Sequence, residues 1–245
     1  MSYLDHIRAC NNFDPSNYVP FEIDGSRVGW VRRENVGYLT AHEAVFDIAE
    51  IRVALVPKLE TVEERSAAIA CVVDKLAADG TVPKPRSELY PVTEAFIDPP
   101  FALIERSAVP FFGVRASGVH MNGYVRRDDG IHMWVARRAR DKMTYPGMLD
   151  NMVAGGQPYG LGLRENMIKE CSEEAGIPEE IAQHVIPVGF IDYAHESEDG
   201  AKPDRQYCYD LELPADFMPV AADGEVDAFM LWPLEQVAET VRETS

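Results

Sequence analysis

The spacing of apolar and polar positions changes several times along the chain, and each change predicts an element. Within residues 2–10, Leu4, Ile7 and Arg8 keep helical spacing, and residues 11–15 break it. Residues 21–30 alternate loosely about Asp24-Gly25, which predicts a hairpin. Residues 45–56 are rich in β-branched and apolar side chains and predict one strand. In residues 61–78, Ile69, Val72, Val73 and Leu76 form a helical stripe, Thr61 and Glu64 a capping box, and Gly80 the stop. Residues 81–100 are rich in proline and predict a loop or linker.

Beyond residue 110 the texture becomes short strands with tight turns. Residues 119–126 and 131–138 flank Arg127-Asp128-Asp129-Gly130, a strong hairpin signal. Residues 151–154 lead into a glycine-rich loop and a helix. Further strands are predicted at 185–193, 206–213 and 226–232, and further helices at 178–184 and 234–242.

Composition narrows the function classes. The 245 residues carry a formal net charge of −18, with a pI near 4.7. That balance argues against non-specific binding to nucleic acid or to an anionic membrane. Cys10, Cys71, Cys171 and Cys208 are scattered and suggest neither a disulfide framework nor a zinc site. The N-terminal residues lack a basic region followed by an apolar run, and no segment reaches transmembrane length. The expected compartment is the reduced cytoplasm.

The chemistry concentrates after Gly155. Glu170, Glu173 and Glu174 stand at i, i+3 and i+4, so a helix presents all three carboxylates on one face. Like charges so placed repel. Leu163, Met167, Ile168 and Cys171 give that helix an apolar stripe, and Gly176 a stop. Hard oxygen donors gathered in this way suit Mg²⁺ or Mn²⁺. The competing reading is a merely solvated glutamate face. A second feature is basic: Arg126, Arg127, Arg137, Arg138, Arg140 and Lys142 cluster in an otherwise acidic chain. Arg137, Arg138 and Lys142 are the candidates for neutralising a diphosphate, against the alternative of a solubilising hairpin surface. His42 beside Glu43 reads as a helix-surface pair before it reads as a ligand pair.

Gly155, Glu170, Cys171, Glu173, Glu174, Gly176 and Ile177 resemble the Nudix box at matching positions. Leu161 and Lys169 depart from it, where the family has a supporting Glu and Arg. The resemblance implies an α/β (α+β) fold: a Nudix α/β/α sandwich over 109–245, preceded by a smaller α+β accessory domain over 1–108. It implies Mg²⁺ or Mn²⁺ held by Glu170, Glu173 and Glu174, with Glu225 a possible extra ligand. Glu173, Glu174 and Lys169 are then the catalytic candidates. Arg137, Arg138, Lys142, Gly155 and Gly156 are the substrate-binding ones.

The runs His120-Met121-Asn122-Gly123-Tyr124, residues 134–138, residues 142–151 and Asp223-Gly224-Glu225-Val226 are similar to one Nudix subgroup, the thiamine pyrophosphokinase-related hydrolases. That similarity implies cleavage of thiamine diphosphate or its oxidised analogues to a monophosphate and phosphate. Tyr124, Trp134, Tyr145 and Tyr193 could then stack on a heteroaromatic ring, or simply belong to the core. Residues 142–147 also resemble isopentenyl diphosphate isomerase, but Met152, Val153 and Ala154 stand where that enzyme has its catalytic Cys. The alternatives are hydrolysis of ADP-ribose or a nucleoside triphosphate, or a non-catalytic diphosphate sensor. The expected partner is a small-molecule diphosphate, with a homodimer implied at the family level.

Overall fold

The computed structural model describes residues 2–94, 99–142, 144–221 and 224–243. Residues 95–98, Met143 and Asp223, which the sequence readings include, lie outside the described residues.

The N-terminal unit begins with α1 (Tyr3–Ala9), the hairpin β1 (Tyr18–Ile23) and β2 (Ser26–Arg32), and the single turn α2 (Val36–Leu39). It continues with β3 (Phe46–Ala49), β4 (Arg52–Leu55), α3 (Val62–Ala78), β5 (Leu89–Val92) and β6 (Ala102–Glu105). Then come α4 (Val109–Phe112), β7 (Ser117–Arg127), β8 (Gly130–Arg138), β9 (Leu149–Asp150) and β10 (Val153–Gly156). The chain ends with α5 (Leu163–Ala175), α6 (Glu179–Ala182), β11 (Ile186–Ser197), β12 (Gly200–Glu212), β13 (Val226–Pro233) and α7 (Leu234–Glu243).

Two expectations change. The apolar run 45–56 is a hairpin of two strands, because Ala49 pairs with Arg52 across a turn that leaves Ile51 exposed. The proline-rich stretch contains β5, whose Pro91 sits in a two-stranded sheet opposite Leu103. An edge position tolerates a residue without an N–H.

A four-stranded sheet of order β2-β1-β4-β3 anchors the first unit. Helix α3 packs on β6 and is capped as its sequence requires: the Glu64 N–H donates to Thr61 Oγ1 at 3.1 Å, and the Thr61 N–H donates to Glu64 Oε2 at 3.1 Å. Its Ile69, Val72, Val73 and Leu76 are buried, each stabilising by roughly 1.5–3 kcal/mol. The second sheet has the order β11-β12-β7-β8-β13, with β10 on β7 and β9 on β8. Strand β7 is its hub. It runs parallel to β12, pairs with β10 through residues 118–121, and pairs with β8 through residues 124–127. The partner of β7 therefore changes midway, from β10 to β8.

The first core reaches Val114 and the second begins at Val119. Val109, Phe111 and Phe112 thus pack with the N-terminal unit, although the sequence suggested a division at 108/109. The units are joined by backbone as well as by side chains. The Arg205 N–H donates to the Ala116 carbonyl at 3.0 Å and the Tyr159 N–H to the Leu89 carbonyl at 2.8 Å. Arg32 Nη2 donates to the Ser197 carbonyl at 2.8 Å.

Candidate active site

Helix α5 is fixed before its carboxylates come into play. Met167, Cys171 and Ala175 are fully buried against the second core, and burial pushes the Cys171 thiol up to about 12, so it is an inert packing group. Gly176 takes the left-handed conformation (φ 63°) that ends a helix, and its N–H donates to the Ser172 carbonyl at 3.2 Å. At the other end, buried Asn166 donates from Nδ2 to the Gly156 carbonyl at 2.8 Å and to Gln157 Oε1 at 3.1 Å. Gln157 in turn donates to the Leu161 carbonyl at 2.8 Å. These bonds tie the glycine-rich loop to the helix.

The three box glutamates meet different surroundings. Glu170 is 14% exposed. Its carboxyl pKa is raised, first by burial and then by the Glu173 and Glu225 charges, against the opposing pull of Lys169. A Cβ on Gly155 would stand 2.3 Å from Glu170 Cδ, so the glycine is what lets strand and carboxylate approach. Glu174 is buried, and its Oε2 accepts the Ala154 N–H at 2.8 Å. Glu173 is half-exposed and bound to Lys169 Nζ, which also lies 3.4 Å from Glu170 Oε1. Burial opposes the Lys169 charge, but the two glutamates outweigh it and its pKa is raised. Lys169, at the position where the box has Arg, is thus a counter-ion to two of the three carboxylates.

All three glutamates line one cleft of about 440 Å³ together with Glu225, Arg138 and Lys142. Lys142 Nζ lies 2.5 Å from Glu225 Oε2. The Arg138 fork is spread between Asp150, at 2.8 Å, and the Thr144 carbonyl, at 3.2 and 3.0 Å. Gly155 and Gly156 form part of the floor. Arg137 is not among the lining residues; its Nη2 lies 3.8 Å from Met230 Sδ. Adjacent strand residues point to opposite faces, so of the pair on β8 only one can face the cleft. Of the aromatic candidates, Trp134 is buried in the core and the Tyr124 hydroxyl bonds Glu212 at 3.3 Å. Tyr145 is exposed next to the cleft residue Thr144, at an unusual φ of 51°. The Tyr193 hydroxyl accepts from Gln206 Nε2 at 3.1 Å.

Among the described residues, no three His, Cys, Asp or Glu side chains converge tightly enough to form a finished metal site. Glu173 is turned toward Lys169 and Glu174 toward an amide. The donor chemistry still fits a hard cation: the oxygens of Glu170, Glu173, Glu174 and Glu225 share one cleft, and the Glu170 pKa is raised by burial first and by the Glu173 and Glu225 charges after it.

Sequence reasoning missed the cleft residues supplied from the N-terminal unit, Arg86, Glu88 and Arg106. They lie in no motif and in no periodic pattern. It also missed Asn166, which one signal could have revealed: a polar residue beside the apolar stripe of α5 needs a buried partner.

Carboxylates and cations share one glycine-lined cleft on a mixed α/β scaffold, a donor set suited to a hard cation and a phosphate-bearing ligand. Residues 117–245 match the family described as NUDIX domain, and residues 2–116 match a domain of unknown function, DUF4743. Nudix hydrolase 24, chloroplastic, of Arabidopsis thaliana is 41% identical over 247 residues, covering 99% of this chain and 68% of the relative. Nudix hydrolase 20, chloroplastic, from the same plant is 41% identical over 254 residues, with the same coverage. An uncharacterized Saccharomyces cerevisiae protein is 29% identical over 253 residues, covering 94% and 73%. Among solved structures, DR0079 from Deinococcus radiodurans aligns with a TM-score of 0.45 at 19% identity, covering 63% of this chain and 86% of that one.

The chain belongs to the Nudix hydrolase family and is a pyrophosphohydrolase. That family acts on small-molecule diphosphates and generally uses divalent metal ions such as Mg²⁺ or Mn²⁺. Among the described residues no helix is long and apolar enough to cross a membrane.

Proposed function

We propose that this cleft hydrolyses thiamine diphosphate or its oxidised analogues to the monophosphate and phosphate with Mg²⁺ or Mn²⁺, in the cytoplasm. The observation that carries the reading is the single cleft in which the box carboxylates face Arg138, Lys142 and Lys169. Glu170, Glu173, Glu174 and Glu225 would hold the cation. Bound there, it neutralises the diphosphate and makes water more acidic. Arg138, held by Asp150 and Thr144, adds positive charge beside the phosphates together with Lys142 and Lys169. Glu173 and Glu174 are the candidate proton acceptors for the attacking water: the Ala154 amide orients Glu174 and Lys169 engages Glu173, and whichever does not ligate the ion is the stronger base.

For the organic half, support comes from Tyr145. It is an exposed aromatic residue at positive φ, next in sequence to the cleft residue Thr144, and offers a ring face to a heteroaromatic group. The homodimer implied by the resemblance also belongs to this reading, supported by the exposed Ile186, Val188 and Phe190 of β11. The test is kcat/KM with Mg²⁺ for thiamine diphosphate, its oxidised analogues, ADP-ribose and nucleoside triphosphates. The expected result is a preference of at least roughly tenfold for the thiamine compounds. A preference for the nucleotides would keep the hydrolase and discard this substrate.

A further inference from the structure

We propose that Arg106 of the N-terminal unit binds a phosphate group of the substrate, with Arg86 beside it, so that the accessory unit completes the active site within one chain. This rests on the cleft being a diphosphate site, and is independent of what the organic half is.

The glycine strip carries the argument. A Cβ on Gly155 would meet Glu170, whereas a Cβ on Gly156 would stand 2.1 Å from Tyr90 Oη and 3.3 Å from Arg106 Cζ. Neighbouring positions of β10 thus lie against a box carboxylate and an accessory-unit guanidinium, and both groups line the same cleft. Arg86 and Arg106 line the same cleft as Lys169 and Glu170. A diphosphate lying over this strip meets acidic metal donors at one end and an arginine at the other.

Arg106 is held for such a role. Its Nη1 donates to Glu88 Oε2 at 2.7 Å, and its guanidinium carbon lies 5.8 Å from the centre of the Tyr90 ring. Its backbone N–H donates to the Glu88 carbonyl at 2.9 Å, and nearby the Tyr159 N–H clamps the loop after the strip to Leu89. Among the described residues no second hydrogen bond is made by the guanidinium, and 40% of the side chain remains exposed. Three other cleft cations differ: Arg138 spans two partners, Lys142 is paired with Glu225, and Lys169 lies between two glutamates. Burial opposes the charge of Arg106, but Tyr90, Glu88 and Glu225 outweigh it and the group stays cationic. A fork with one edge anchored and one edge open is the form in which Arg takes a phosphate oxygen pair.

The contrasting role is a purely structural clamp, in which Arg106 and Glu88 only join the units. Calorimetric titration of the full chain with methylenediphosphonate and Mg²⁺ separates the two, because nothing is turned over. Arg106→Ala is expected to weaken binding about 10- to 100-fold, with an unchanged unfolding temperature. Arg106→Lys, which keeps the charge and loses the fork, is expected to fall between, and Arg86→Ala to lose several-fold. KM for a diphosphate substrate should rise with the same ranking. Equal affinity of the natural chain and Arg106→Ala overturns this inference and leaves the cleft's function standing. No binding by the natural chain overturns both. If Arg106→Ala does not fold, the other two variants decide, and natural affinity in both overturns the proposal.

Discussion

Glu174→Gln is expected to lower metal-dependent phosphate release by roughly 10²- to 10⁴-fold while the protein keeps its fold and melting temperature. The structure explains why the variant isolates chemistry from stability. Glu174 is buried, and its Oε2 accepts the Ala154 N–H at 2.8 Å. A glutamine at the same position retains a carbonyl oxygen for that amide, so the link between α5 and β10 survives. What disappears is a negative charge in the cleft and, in the proposed mechanism, a proton acceptor. Initial rates with saturating Mg²⁺, read beside circular dichroism, check the point. A rate near that of the natural chain would remove Glu174 from the catalytic assignment.

Glu170→Gln is expected to do two things at once: abolish most turnover and make the metal-free protein more stable at neutral pH. Burial, followed by the Glu173 and Glu225 charges, raises the Glu170 pKa above its ordinary value of 4.5. For a carboxyl with a raised folded-state pKa, its contribution to stability is fully present below the unfolded pKa. It is lost as pH rises through the folded pKa, since the folded state then binds more protons than the unfolded. Above that value the ionised carboxylate is a cost that the neutral amide does not carry. The melting temperature of metal-free Glu170→Gln should therefore exceed that of the natural chain near pH 7.5, and the gap should close below about pH 4.5. Added Mg²⁺ should raise the melting temperature of the natural chain and leave the variant nearly unchanged. A variant less stable than the natural chain at neutral pH, without metal, would show that Glu170 is held by its Lys169 contact and not strained by burial.

Features written locally were legible in the sequence. The capping box at Thr61, the turn at Asp128-Asp129 and the α5 helix with its stop at Gly176 are set by residues within a few positions of one another. The carboxylate face of α5 follows from helical spacing alone, and those side chains do line one cleft. What was not legible depends on distant partners. No local pattern announces that Arg106 reaches Gly156, 50 positions later in the chain, because that contact arises only when β5 and β6 dock beside β10. The Lys169 contact with Glu173, by contrast, was available, because the two stand at i and i+4 on α5. The separation of Arg137 from Arg138 was available too: strand alternation sends neighbours to opposite faces, and the pair lies on β8. The single strand read into residues 45–56 failed because a tight turn at Glu50-Ile51 carries none of the usual glycine or asparagine signals.

The central claim is that the carboxylate cleft hydrolyses a diphosphate with the help of a divalent ion, and phosphorus NMR of the reaction tests it most directly. Thiamine diphosphate and ADP-ribose are incubated with the natural chain in Mg²⁺ and, separately, in excess chelator. The account predicts loss of the diphosphate resonances and growth of monophosphate resonances for at least one compound in Mg²⁺, with none in chelator. Equal conversion under both conditions would contradict the account.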